Sequence, residues 1–168
     1  MQPRLSNLVL IAEEVGQARA ILARLVDESG ADGAVLLLRS GEIAVAQVEP
    51  DLGQLETLGA LLAGNFAAAR EIARLIGESG FETQFQQGAG RQVVTQAVGD
   101  GWLLTVVFRP ASSLGMVKML VGRAADELRP LNEAAHARVA RGEVPAGPDE
   151  RFKSAAADAI DLLFGEKS

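Results

Sequence analysis

The sequence predicts an α+β domain in which one helix, two strands, a second helix, three strands and a third helix follow in order, αββαβββα. Three observations carry this. Apolar residues recur at helical spacing in three long segments, five short runs read as strands, four of them rich in Val, Leu and Ile, and glycine-bearing turns join the two runs of the first pair and the three of the second group.

The first helix is expected from about Glu13 to Ser29, after the short extended run "NLVLI". Val15, Ala18, Leu22, Leu25 and Val26 line one face, and Gly30 closes it. "AVLLLRSGEIAVAQV" then reads as two strands joined at Arg39-Ser40-Gly41-Glu42, a hairpin-type turn. A second helix is expected from about Asp51 to Glu78 as the longest element of the chain. "FETQFQQ", "RQVVTQAV" and "WLLTVVF" follow as an antiparallel meander, separated by Gly88-Ala89-Gly90 and Gly99-Asp100-Gly101. The last helix begins at Ser112 or Ser113 as N-cap and places Leu114, Val117, Val121, Ala124 and Leu128 on one face. Pro130 is expected to kink or end it. Residues 1–139 thus form one domain. Residues 140–150, with "RGEVPAGPDE", read as a flexible linker, and 151–168 as a short amphipathic tail with Ile160, Leu163 and Phe164 beside Asp158 and Asp161.

The second helix has two unlike sides. At the 100° step of an α-helix, Leu55, Leu58, Leu62, Phe66, Ala69, Ala73 and Ile76 share a stripe about 80° wide, an ordinary core face. The opposite side collects Thr57, Ala60, Leu61, Gly64, Ala67, Ala68, Glu71 and Leu75, where a solvated helix carries Lys, Glu and Gln. Such small residues admit another backbone closely, so a partner is expected to cover this side. The alternative is a solvated face that is Ala-rich for helix propensity alone.

A chain of 168 residues is long enough to bury about two-thirds of its unfolded surface without a staple. It has no cysteine, which removes disulfides, thiolate metal sites and Cys nucleophiles. The net charge of −6 argues against a nucleic-acid surface, because phosphate binding needs a basic stripe. "LVLIA" runs straight into Glu13 and Glu14 and is too short to span a membrane. A soluble, cytoplasmic protein is expected.

Catalytic and metal motifs are missing. The single histidine, His136, stands between Ala135 and Ala137 and reads as a solvated surface residue. The Gly doublets join strand to strand and are turns, and the final "GEKS" lacks the strand and glycine loop of a phosphate site. Arg70, Arg74, Arg91, Arg109 and Arg123 read as solvated charges. The residues point to a binding protein with no catalytic site, metal or cofactor of its own. A ligand-sensing role would need a cavity with convergent polar groups, and the strands offer few.

The words "LLAGNFAAAREIARLIGE", "FETQFQQGAGRQVV" and "WLLTVVFRPASSLGMVKMLVGRAADEL" resemble the roadblock/dynein light chain family over roughly residues 8–129. The resemblance is strongest to bacterial members that pair with a Ras-like small GTPase, and "DAIDLLFGE" is similar to the acidic, Phe-ending tail of some of them. It implies a five-stranded antiparallel sheet, the first and last helices on one face and the long helix on the other. It implies a homodimer joined through about 51–78 and 81–87, with two sheets meeting edge to edge. It further implies binding of a Ras-like small GTPase in its GTP-bound form and acceleration of hydrolysis without an arginine finger, in cell polarity or motility, with the cell pole as a site of action. On that pattern Ala60, Leu61, Gly64, Ala67, Ala68, Glu71 and Leu75 form the dimer and GTPase-binding helix face, and Ile160, Leu163 and Phe164 the tail contact. Glu71 and Pro130 depart from the family pattern. A scaffold or GTPase-binding module without activating effect is the alternative role.

Overall fold

The computed structural model of the protein describes residues 10–143. The expected tail, with Ile160, Leu163 and Phe164, and residues 144–150 of the expected linker lie outside the described residues, as does most of the N-terminal extended run; the linker's expected first residue, Ala140, is the last residue of a helix. Helix α1 (Ala12–Ser29) leads to strands β1 (Gly33–Leu38) and β2 (Ile43–Val48), helix α2 (Leu55–Leu75), strands β3 (Thr83–Gln87), β4 (Gln92–Val98) and β5 (Trp102–Phe108), and helix α3 (Leu114–Ala140). The five strands form one antiparallel sheet in the order β2-β1-β5-β4-β3. The element order and α+β class are those the sequence predicts.

The two central strands, β1 and β5, are buried along their whole length because helices cover both faces. Alternation therefore sorts their apolar runs into two cores. Ala34, Leu36, Leu38, Trp102, Leu104, Val106 and Phe108 pack against Ala18, Leu22 and Leu25 of α1 and Val117, Val121, Ala124 and Leu128 of α3. On the other face Val35, Leu37 and Leu103 pack against Leu62, Ala63 and Phe66 of α2. Beside this smaller core, Thr95 and Thr105 sit opposite each other in the ladder, both buried, with Oγ1 atoms 3.0 Å apart.

Three expectations about the helices need correction. Helix α2 starts at Leu55 rather than Asp51, because Pro50–Leu52 form a separate 3₁₀ turn and Gly53, at φ +69°, redirects the chain. It ends at Leu75, and Gly77, at φ +82°, turns the chain before Glu78. With 21 residues it is shorter than α3, with 27. Finally, Pro130 does not end α3. Pro130 is exposed, and so is Asp126, the residue four positions earlier whose carbonyl loses its helical partner; water can serve that carbonyl on the solvent side. Beyond Pro130, Asn132 and Ala135 are buried, and Arg138 forms a bidentate pair with Glu14 of α1, both contacts 2.6 Å. Ser113 is the N-cap, its Oγ accepting from the Met116 N–H.

Candidate functional site

Helix α2 approaches the sheet closely at its N-terminal half. A Cβ on Gly59 would collide with the Gly41 carbonyl oxygen, so a glycine is required where the helix crosses the β1–β2 turn. From there Leu62, Ala63, Phe66 and Ala73 are buried and Leu55, Leu58 and Ala69 half-buried. This matches the expected stripe except at Ile76, which is exposed. Helical periodicity no longer holds there: Ile76 is the C-cap, outside the helix.

All seven residues expected on the docking side, Ala60, Leu61, Gly64, Ala67, Ala68, Glu71 and Leu75, are exposed. A Cβ on Gly64 would meet nothing within 4 Å. Leu75 is 75% exposed and Ile72 55%. Ile72 extends the apolar stripe beyond the residues singled out above, four residues after Ala68 on the same helix, and Ile76, expected in the core, adds exposed apolar surface just past the helix end. Glu71 is paired with Arg74 at 3.0 Å in open solvent, so the charge on this face is already neutralised locally.

Next to α2 in the chain, β3 is an edge strand that, among the described residues, pairs only with β4. Its sequence, Thr83-Gln84-Phe85-Gln86-Gln87, holds no charge and no proline. Natural sheets protect free edges with such residues, and β3 has neither.

The arginines divide by environment. Arg91 and Arg109 converge on Asp32, whose side chain is 7% exposed, at 3.1 and 3.0 Å, and Arg91 also holds Asp51 at 2.7 Å. The hydrogen bonds that Arg91 donates to Asp51 and then to Asp32 raise its pKa above the ordinary value. Arg123 bridges to Glu28 of α1. Arg91, Arg109 and Arg123 keep 40%, 59% and 53% of their side chains exposed, in keeping with solvated charges, and their pairs also tie elements together. His136 departs from expectation, because its Nε2 is buried. Among the described residues no helix is long and apolar enough to cross a membrane, and no three His, Cys, Asp or Glu side chains gather as a metal site.

With this geometry in view, comparison with known proteins is direct. The Roadblock/LC7 domain family matches residues 18–108. Among solved structures, Myxococcus xanthus MglB is similar at 31% identity and TM-score 0.71, covering 76% of this chain and 96% of that one. The gliding protein MglB of Thermus thermophilus is 31% identical at TM-score 0.70, covering 80% and 99%. A Roadblock/LC7 domain from Streptomyces avermitilis, 18% identical at TM-score 0.61 over 67% and 94%, shares the fold. No curated protein matches the chain. An α+β sheet in this strand order, a family match across its centre and MglB-like structures over most of its length agree: the chain belongs to the Roadblock/LC7 domain family.

Proposed function

We propose that this protein is a homodimeric regulator of a bacterial Ras-like small GTPase of the MglA type, the partner of MglB, and that it acts in cell polarity or motility. The observation that carries the reading is the exposed apolar face of α2 beside the unprotected edge of β3. A second copy pairing at β3 would satisfy the edge and bring two α2 helices together, and the GTP-bound GTPase would dock on the small-residue side at Gly64, Ala67 and Ala68. The likeness to MglB supports this, and one MglB structure is described as having a tetrameric arrangement.

Activation needs only differential affinity. A regulator that binds the hydrolysis-competent GTPase conformation more tightly than the incompetent one shifts the population toward it, and moving 1:99 to 99:1 takes about 5.5 kcal/mol. No arginine of this chain is then required at the γ-phosphate. Arg91 already engages Asp32 and Asp51, and Arg74 engages Glu71. The tail residues Ile160, Leu163 and Phe164 are proposed to add contacts to the bound GTPase.

The test is single-turnover GTP hydrolysis by the Ras-like GTPase of the same genome, with and without the protein. Stimulation is expected, and Arg70→Ala, Arg74→Ala and Arg91→Ala should each reduce it only modestly. A loss of about a thousandfold at saturating protein from any one of them would identify an arginine finger. Tight binding without stimulation would favour the scaffold role.

A further inference from the structure

Asp32 and Arg39 flank β1, and a cavity of about 820 Å³ opens at the Arg39 end. Its walls come from separate segments: Arg39 after β1, Phe66 and Arg70 of α2, Gly99 in the β4–β5 turn, and Asn132 and His136 of α3. The expectation that polar groups would be too few rested on the strands; helices and turns supply them instead.

The buried polar atoms of this wall lack partners. Arg39 Nε, Asn132 Nδ2 and His136 Nε2 are buried without a hydrogen bond among the described residues. Asn132 is 2% exposed. Two of the three atoms are obligate donors, and the third donates in one tautomer. A buried donor left unpaired has lost its water without compensation, so the cluster is suited to a ligand that brings acceptors. The donors are held in place. The Arg39 guanidinium lies over the Phe66 ring, 5.4 Å from its centroid, and its Nη2 donates to the Gly99 carbonyl at 3.3 Å. Gly99 lets Asn132 come close, since a Cβ there would collide with Asn132 Oδ1.

Charge agrees with this assignment. Burial, followed by the neighbouring Arg70 charge, lowers the Arg39 pKa below its ordinary value, with Asp100 opposing. The guanidinium is half-buried and has a second cation, Arg70, beside it. The lining carries three arginines, Arg39, Arg70 and Arg129, and three acidic residues, Glu82, Asp100 and Glu133; all but Arg39 are exposed and screened by solvent, so the half-buried Arg39 is the charge least screened in the cavity. We propose that this cavity binds a small molecule bearing an oxyanion, phosphate or carboxylate, with Arg39 and Asn132 as its hydrogen-bond donors and Arg70 adding charge at the mouth. None of the seven docking-side residues of α2 lines the cavity, and its test involves no GTPase, so its failure is distinguishable from that of the GTPase reading.

The test is an NMR titration of the ¹⁵N-labelled full chain with inorganic phosphate and, separately, with acetate, each against sodium chloride of matched ionic strength. Saturable shifts are expected at the Arg39, Gly99 and Asn132 backbone amides and at the Asn132 side-chain amide. Phosphate alone producing them marks a phosphoryl ligand, and acetate alone a carboxylate. Arg39→Gln should weaken binding about tenfold, the loss of one charge-assisted contact. Should that variant fail to fold by circular dichroism, Arg70→Gln, at an exposed position, should weaken binding severalfold. Shifts reproduced by chloride, no saturation with either oxyanion, or unchanged affinity in the folded variant would overturn the proposal.

Discussion

The two helical layers of this protein are built to different ends. On one face α1 and α3 pack together over the sheet and enclose Trp102, Phe108, Leu22 and Leu128 completely. On the other, α2 alone covers Val35, Leu37 and Leu103, and turns an apolar outer side to solvent at Leu61, Ile72 and Leu75. The chain finishes the first layer by itself. The second layer has a sound inner seam and an outer surface whose composition suits a protein neighbour, because isolated apolar residues are common on surfaces but a continuous stripe is not.

The same contrast should appear in stability. Truncating the finished layer, as Leu22→Ala or Leu128→Ala, should cost about 2–5 kcal/mol in urea unfolding, since both side chains are fully enclosed. The matching change on the outer side of α2, Leu75→Ala, should stay within about 0.5 kcal/mol in dilute, monomeric protein. A large loss at Leu75 under those conditions would break the comparison.

Ion pairs sharpen it at a smaller scale. Glu14→Gln removes the carboxylate that Arg138 grips twice, where the two side chains are 8% and 16% exposed, and that also accepts the Ile11 N–H. About 1.5–3 kcal/mol should be lost. Glu71→Gln, in an exposed pair on the α2 face, should change stability by less than about 1 kcal/mol.

Glycines give the finest test. Gly59→Ala forces a Cβ against the Gly41 carbonyl and should cost about 1–3 kcal/mol by overpacking. Gly64→Ala enters open space in a helix interior and should stabilise the monomer by about 0.5–1 kcal/mol. Both residues belong to one helix, so opposite signs would place the core on one side and the free surface on the other.

Much of this division is legible in the sequence. The apolar runs of β1 and β5 and the two sides of α2 follow from local periodicity, which is fixed by neighbours a few residues away. What the sequence conceals depends on distant partners. Past Pro130, helix α3 buries Asn132 and Ala135 and pairs Arg138 with Glu14, 124 positions earlier. Arg91 and Arg109 are drawn from separate turns to Asp32. The cavity at Arg39 gathers donors from separate segments, none of which carries a motif. Ile76 misled for a simpler reason: the periodic stripe was extrapolated beyond the residue at which the helix stops.

The central claim is that the outer side of α2 is the docking surface. It is tested most directly by calorimetric titration of the GTP-loaded Ras-like GTPase into the full chain and into Ala68→Arg, with circular dichroism fixing the fold of both. The account predicts a folded variant whose affinity falls by about a hundredfold or more, roughly 2.8 kcal/mol. Equal affinity in the folded variant would contradict it and move the GTPase to another surface.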